Sequence, residues 1–244
     1  MEGNRPQPGI DWAAPLRATW ALVALMTAVH LVSGLAWWMA GRGGLLEVLV
    51  LGREIGFRVA AGGQYHPLIV GGDVWRLYTS VFLHADGLHL LVNGVALLAL
   101  GRILEPWLGA RRFTALFLAG GFAGSVMSQL VQVSQSDGAS GGAFALLGLA
   151  VVLGWRERGA LSEDDRRLLG PILQGFLLLN VVLSLVLPFV DAAGHLGGLA
   201  LGVVLGLAVP TGAERFIAWS RAVEVAWIAV FAGICLAGWV FGGS

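Results

Sequence analysis

Long apolar stretches recur along the whole chain. There are seven of them, at residues 16–40, 88–108, 113–133, 140–155, 168–190, 195–209 and 223–241. Backbone N–H and C=O groups find no water in hydrocarbon, so a segment that crosses a bilayer must satisfy them within a helix. Only 12% of the residues are charged, against about 25% in soluble domains. We therefore predict an all-α polytopic membrane protein with about seven transmembrane helices.

The distribution of arginine predicts the orientation of these helices. The 15 acidic residues balance 15 basic ones, all of them arginine, and a net charge of zero argues against nucleic-acid binding. Short loops rich in arginine stay in the cytoplasm. With the N-terminus inside, four arginines are external, Arg42, Arg53, Arg58 and Arg76, and eleven are cytoplasmic: Arg5, Arg17, Arg102, Arg111, Arg112, Arg156, Arg158, Arg166, Arg167, Arg215 and Arg221. The N-terminus is predicted to be cytoplasmic and the C-terminus external.

The chain divides into three parts on this interpretation. Residues 1–15 form a cytoplasmic tail, residues 16–209 a six-helix core, and residues 210–244 a linker and a further helix. The first apolar stretch is too long for a signal peptide and is expected to be an uncleaved anchor. Residues 41–87 are too mixed in polarity to span the bilayer, so we expect short interfacial helices and turns there, outside the membrane.

Three of the stretches are short. The uninterrupted apolar part of the second covers residues 88–101, and the fourth and sixth hold about 15 residues each, or roughly 22 Å against a hydrocarbon core of about 30 Å. All three run from outside to inside, so their N-termini would end below the external surface. Non-helical backbone is tolerated at that depth only where it lines a cavity with water. A water-filled cavity is therefore expected at these three helix starts.

Side chains capable of acyl-transfer chemistry stand at these helix starts. Ser140 begins the fourth in the sequence Gly-Ala-Ser-Gly, which could equally be a small-residue helix contact. His195 begins the sixth; an ionisable group inside a membrane segment is a functional candidate, the alternative being a hydrogen-bonded packing histidine. His89 and Asn93, four residues apart at the start of the second, share one helix face. Together they could supply a nucleophile, a general base and an oxyanion site.

Several motifs resemble the rhomboid family of intramembrane serine proteases. They occur in the family's order: Trp75-Arg76, then His84, His89 and Asn93 as HxxxxHxxxN, then Gly101, Glu105 and Gly109 as GxxxExxxG, then GASG around Ser140, then His195 with Gly198 and Gly202. The resemblance is close over residues 75–209. The last stretch lies beyond the six-helix core and resembles the arrangement with one extra C-terminal helix.

The resemblance implies a role for each matched position. Ser140 would be the nucleophile and His195 the general base and acid, with His89, Asn93 and the Ser140 backbone N–H as the oxyanion hole. Supporting positions are Gly138, Phe144, whose ring would lie against His195, Gly198, Gly202 and His84. Glu105 would be a buried hydrogen-bonding carboxylate near the cytoplasmic end of its helix, and Trp75 and Arg76 would be structural.

Two residue patterns outside the motifs also bear on the packing. Gly194, Gly198, Gly202 and Gly206 repeat every four residues, which removes side chains from one face and should let the sixth helix close on the fourth. Gln174, Asn180 and Ser184 in the fifth helix are expected to make helix contacts and to bind nothing. Cys235 is expected to face lipid, and His30 and His66 match no motif.

The predicted function is an endopeptidase that cleaves single-span or polytopic membrane proteins in the lipid bilayer. No cofactor, metal or nucleic acid is expected, and the oligomeric state is left open. The alternatives are a catalytically silent rhomboid-like protein that binds transmembrane helices, and a transporter or channel. The exclusive use of arginine is typical of a GC-rich bacterial genome, so the expected location is a bacterial plasma membrane.

Overall fold

The computed structural model describes residues 10–44, 46, 47, 50, 52, 54–159, 161–208 and 221–241. Arg5, Arg53 and Arg215, which enter the orientation argument, and the predicted linker at 210–220 lie outside these residues. The helices are α1 (Arg17–Met39), α2 (Ile55–Ala60), α3 (His66–Val70), α4 (Arg76–Thr79), α5 (Gly87–Leu108), α6 (Ala110–Leu130), α7 (Ser140–Arg156), α8 (Glu163–Arg167), α9 (Leu173–Val186), α10 (Ala192–Ala208) and α11 (Arg221–Phe241). Two short strands, β1 (Gln64–Tyr65) and β2 (Gln135–Ser136), pair antiparallel.

The apolar helices agree with the seven stretches of the sequence. Five are long and apolar enough to cross a membrane: α1, α5, α6, α11 and the continuous run Glu163–Val186 that contains α8 and α9. The other two, α7 and α10, have 17 residues each, or roughly 25 Å. The fold is thus the predicted all-α polytopic bundle, and α7 and α10 are its short members.

The second helix corrects the prediction. We expected it to be short, yet α5 continues for 22 residues, about the length needed to cross a bilayer. Its polar last turns are accommodated because the Glu105 carboxylate is buried and accepts hydrogen bonds from the N–H groups of Ala18 (2.8 Å) and Thr19 (2.9 Å). Those N–H groups open the first turn of α1 and have no partner within that helix.

Two other boundaries differ from the expected ones. Helix α10 begins at Ala192 rather than at His195, because the Asp191 carboxylate accepts a hydrogen bond from the Gly194 N–H at 2.8 Å and caps the helix. Helix α9 ends at Val186 rather than near residue 190. Leu187 is extended, as expected for a residue that precedes a proline, Pro188.

Helix α7 is the centre of the bundle. Thirteen of its 17 residues are buried, and it packs against α10, α6 and α5. A helix that is apolar on every face belongs in an interior rather than at a boundary. The start of α7, with Ser140, is therefore enclosed by three neighbouring helices.

Glycine brings α10 and α7 into backbone contact. An ideal Cβ on Gly198 would lie 2.0 Å from the carbonyl oxygen of Gly141, and one on Gly202 would lie 2.0 Å from that of Ala145. Gly206 faces Val152 in the same way, its Cβ position being 2.8 Å from that side chain. The glycine repeat therefore does what its spacing predicts, and only hydrogen fits at these positions.

The segment before α5 folds as short helices and turns, as predicted. It is anchored by Arg76, which donates to the carbonyl oxygens of Gly63 (3.1 Å) and Val59 and forms an ion pair with Asp73 at 2.9 Å. The pairing of β1 with β2 was not predicted, because strands of two residues leave no pattern in a sequence. It joins this segment to the loop that immediately precedes α7.

The last helix, α11, is fixed at both ends. Near its start, Glu224 is buried and pairs with Arg112 (2.5 Å) and Arg111 (3.4 Å) of α6. Near its end, the Trp239 indole N–H donates to the carbonyl oxygen of Ala61 at 3.0 Å. Cys235 was expected to face lipid, and this expectation was wrong. The residue is only 5% exposed, because α11 packs against α4 and α6.

Candidate active site

The candidate nucleophile, Ser140, lies at the N-terminal end of α7. Ser140 is the first residue of that helix and is partly exposed. The preceding turn depends on Gly138, which has φ +130°, a conformation that L side chains rarely adopt. The Gly138 N–H donates to the carbonyl oxygen of Ser80 at 2.9 Å. This bond ties the turn to the segment before α5 and fixes where the hydroxyl of Ser140 stands.

A small polar cavity adjoins Ser140. Its volume is about 20 Å³, which is enough for about one water molecule. Hydroxyl groups, carboxylates and glycine backbone form most of its wall: Ser80, Gly121, Gly124, Ser125, Ser128, Ser136, Asp137, Gly138, Ser140, Gly141, Asp191 and Gly194. A polar space of this size beside a serine hydroxyl suits a single ordered water, which needs two to four polar partners.

The candidate base, His195, is held on two sides. The ring of Phe144 stacks on it with centroids 4.2 Å apart and planes at 17°, which is the contact that the resemblance implies. On its edge, Nδ1 lies 2.6 Å from the hydroxyl oxygen of Ser184 on α9. No hydrogen bond joins His195 to Ser140 among the described residues. The two helices that carry them nevertheless touch through Gly198 and Gly141, one turn from His195 and one residue from Ser140.

The candidate oxyanion donors lie against the turn that precedes Ser140. An ideal Cβ on Gly138 would be 2.9 Å from His89 Nε2 and 3.9 Å from Asn93 Nδ2, so both side chains face that backbone. The Asn93 amide donates one of its two hydrogens to the His89 carbonyl oxygen at 2.9 Å. Asp86 caps α5 by accepting from the His89 N–H at 2.7 Å. Local capping and the helical repeat thus fix both donors.

His84 lies against the candidate oxyanion donor His89. Its side chain is buried, at 1% exposure, and its ring meets that of His89 edge to face with centroids 5.1 Å apart. A ring in this position limits how His89 can rotate.

A buried ion pair that no sequence pattern indicated braces the loop before α7. The Arg58 guanidinium donates to the Asp137 carboxylate at 2.8 Å and to the Gln135 side chain at 3.0 Å. The Asp137 side chain is 1% exposed, and this burial raises its pKa from 3.8 to about 7 although Arg58 opposes the shift. Asp137 stands three residues before Ser140, so the pair holds the chain that delivers the serine.

Comparison with known proteins identifies the family. Residues 71–211, more than half of the chain, match the model of the rhomboid domain. The chain belongs to the rhomboid family. The match includes α4 to α10, and with them Ser140, His195, His89 and Asn93.

Curated rhomboid proteins show the same relationship at moderate identity. The chain is 33% identical over 144 residues to the rhomboid protease GluP of Bacillus subtilis. The alignment covers 59% of this chain and 28% of that protein. It is 35% identical over 153 residues to rhomboid-like protease 1 of Toxoplasma gondii; the alignment covers 60% of this chain and 50% of that protein. It is 34% identical over 170 residues to RHOMBOID-like protein 5 of Arabidopsis thaliana; here the alignment covers 66% of this chain and 52% of that protein. The chain therefore spans between about a quarter and about half of the length of these rhomboid relatives.

Two further polar contacts of this rhomboid site were not predicted from the sequence. The Asp191 carboxylate caps α10 and accepts a hydrogen bond from the Ser128 hydroxyl on α6. An aspartate shortly before a small-residue helix is a capping signal that could have been recognised. Ser184 was expected to make helix contacts only, and its bond to His195 has no local signal, because the two residues lie on different helices.

Proposed function

We propose that this rhomboid protein is an intramembrane serine endopeptidase that uses a Ser140–His195 dyad on membrane-protein substrates. One observation carries the proposal. The starts of α5, α7 and α10 meet at Ser140, because Gly138 lies against His89 and Asn93 while Gly141 lies against Gly198. Nucleophile, base and oxyanion donors are the groups that acyl transfer requires.

The reaction proceeds through an ester on Ser140. The serine Oγ attacks the scissile carbonyl carbon while its proton passes to His195. When the C–N bond breaks, His195 returns that proton to the leaving amine. A water then attacks the ester carbonyl carbon and gives a proton to His195. When the ester C–O bond breaks, His195 returns that proton to Ser140 Oγ, which releases the acid and restores both the serine hydroxyl and the neutral histidine. The cavity beside Ser140 provides a place for that water.

The developing negative charge is carried by the carbonyl oxygen of the substrate. Asn93 has one amide hydrogen left after its bond to the His89 carbonyl, and His89 and the Ser140 backbone N–H supply the further donors. The Ser140 N–H belongs to the first turn of α7 and has no partner within the helix. Donors that are already in place stabilise the charge without reorganisation at the moment of reaction.

The substrates are proteins that present a transmembrane helix to this site. A substrate helix hides its carbonyl groups in its own hydrogen bonds, so it must unwind locally before attack. Small residues, glycine and proline lower the cost of that unwinding. We therefore expect cleavage near the helix end that lies level with Ser140, in segments rich in such residues.

The site is proposed to face the exterior of a bacterial plasma membrane, with the N-terminus in the cytoplasm. The arginine distribution supports this orientation. The β1–β2 pairing supports it further. It joins the long segment 41–87, which is predicted to be external, to the loop just before α7. The division into an N-terminal tail (1–15), a six-helix core (16–209) and a linker with the extra helix (210–244) belongs to the same proposal.

The test is a cleavage assay with purified protein in liposomes and a single-span substrate. Wild type should cleave, while Ser140→Ala and His195→Ala should not. Thr114→Ala is the matched control, because Thr114 is half-buried on α6 and its hydroxyl donates to the Ala110 carbonyl of its own helix; it should cleave as wild type does. Equal cleavage by all four proteins would refute the proposal.

A second function is kept because Ser140 and His195 are not hydrogen-bonded to each other among the described residues. A catalytically silent rhomboid-like protein could bind transmembrane helices with the same fold. Catalytic hydrogen bonds are often long before substrate binds, so the observation does not favour it strongly. A fluorophosphonate probe separates the two functions: labelling of Ser140 that is lost in His195→Ala supports the protease, and absent labelling of folded wild type supports the binder.

A further inference from the structure

Ser184 connects α9 to His195 on α10. Its side chain is 5% exposed, and its hydroxyl oxygen lies 2.6 Å from His195 Nδ1. The same oxygen lies 2.6 Å from the backbone carbonyl oxygen of Asn180, one turn earlier in α9. The hydroxyl is therefore in contact with two partners at short distance.

The chemistry of these partners decides which of them receives the proton. A carbonyl oxygen can only accept, so the single hydroxyl hydrogen of Ser184 points to Asn180. The hydroxyl oxygen then has only lone pairs to offer to His195. The ring nitrogen that faces it, Nδ1, must carry hydrogen to make the bond. In a neutral imidazole this leaves Nε2 without a proton.

We propose that Ser184 is a positioning residue that holds His195 in the tautomer needed to take the proton of Ser140. The proposal rests on the proposed protease function. Phe144 fixes the plane of the ring by stacking, and Ser184 on α9 binds Nδ1, one of the two ring nitrogens. Neither contact alone determines the tautomer, since stacking is the same for both nitrogens.

The same bond acts when the ring becomes charged. As Ser140 attacks, its proton moves to Nε2 and the ring becomes an imidazolium. The Nδ1–H becomes a stronger donor, and the Ser184 oxygen continues to accept from it. Ser184 itself neither gains nor loses a proton. The proton on Nε2 goes on to the leaving amine, so no further acid or base is required.

The first test compares two variants of nearly equal shape, Ser184→Thr and Ser184→Val. Threonine keeps the hydroxyl and valine replaces it with a methyl group. Ser184→Val should lower kcat by about tenfold, which corresponds to the loss of one hydrogen bond, and should change KM less than twofold. Ser184→Thr should keep most of the wild-type kcat. Thr27→Val is the control, because the Thr27 hydroxyl bonds to the Val23 carbonyl within α1; its kcat should equal that of wild type.

The second test reads the tautomer directly and needs no activity. In ¹⁵N-histidine-labelled protein, with the His195 signals assigned by their loss in His195→Ala, wild type and Ser184→Thr should show a protonated Nδ1 and an unprotonated Nε2. Ser184→Val should shift these signals toward a mixture. Equal kcat and equal ¹⁵N signals for Thr and Val would overturn the role of Ser184.

The two tests also separate this proposal from the proposed function. If wild type neither cleaves substrate nor reacts with a fluorophosphonate, the protease function fails, while the ¹⁵N signals still decide the Ser184–His195 bond. If wild type is active and the Ser184 variants match it in both measurements, only the positioning role fails.

Discussion

Gly198 on α10 lies against the carbonyl oxygen of Gly141 on α7, where an ideal Cβ would be 2.0 Å from that oxygen. Backbone meets backbone here, and no flexible side chain can move aside. Because His195 lies one turn before Gly198, and Ser140 directly before Gly141, this contact sets the separation of Ser140 and His195.

Gly198→Ala should therefore push α10 away from α7 and reduce proteolysis by at least a hundredfold, since displacements near 1 Å can have effects of this order. Cleavage of a single-span substrate in liposomes measures it. Gly233→Ala on α11 is the matched control, because no atom lies within 4 Å of its Cβ position; its activity should stay at the wild-type level. Normal cleavage by Gly198→Ala would contradict the packing argument.

Asn93→Ala should impair catalysis without abolishing it. The loss of one oxyanion donor lowers turnover by about a hundredfold to a thousandfold, and the effect should fall on kcat because the donor acts on charge that develops in the transition state. Steady-state kinetics beside Ser140→Ala, which should have no measurable activity, test this. An unchanged kcat in a folded Asn93→Ala protein would remove Asn93 from the oxyanion site.

Glu105→Gln should destabilise the bundle. The Glu105 carboxylate accepts from both the N–H (2.9 Å) and the hydroxyl (2.6 Å) of Thr19 and from the Ala18 N–H (2.8 Å). An amide has one accepting oxygen in place of two, so the cost should be about 1–3 kcal/mol. Thermal unfolding in detergent measures it, and Glu163→Gln, at an exposed side chain, should change stability by no more than about 0.5 kcal/mol. Equal losses in both variants would count against the capping role.

The Asp137 carboxyl predicts a pH dependence of stability. Its pKa is about 7 in the folded protein, because burial opposes ionisation, against 3.8 for the free side chain. Arg58 and Gln135 hydrogen-bond to the carboxylate, and the nearby Gln64 backbone also lowers its pKa. Between these pH values the folded protein keeps a proton that the unfolded chain has released. This contribution to stability is therefore full below pH 4 and falls as the pH rises to 7.

Unfolding of wild type and Asp137→Asn, measured from pH 4 to pH 8 in the same detergent, tests that dependence. The asparagine cannot titrate, so the stability of wild type relative to Asp137→Asn should decrease with rising pH, by at most about 1.4 kcal/mol per pH unit, and level off above pH 7. A constant difference over the whole range would show that Asp137 does not titrate there.

The fold class followed from the sequence because hydrocarbon leaves the backbone no alternative to helices, and the apolar stretches show where they lie. The limits of the second stretch, residues 88–108, also agree with α5, but the expectation of a short helix was wrong, because Glu105 in its polar last turns is buried against the start of α1. Likewise, Cys235 is buried because α11 packs against α4 and α6, which composition alone cannot indicate.

The residue types of the candidate site were also present in the sequence, as Ser140, His195, His89 and Asn93, and the glycine repeat predicted which helices would close together. What the tertiary structure decided is how the side chains are oriented. Ser184 faces Nδ1 of His195, and Arg58 holds Asp137, because separate helices and loops bring them together across the bundle. Spacing along one helix encodes a shared face, but a hydrogen bond between two helices depends on how they pack, and that exists only in the folded chain.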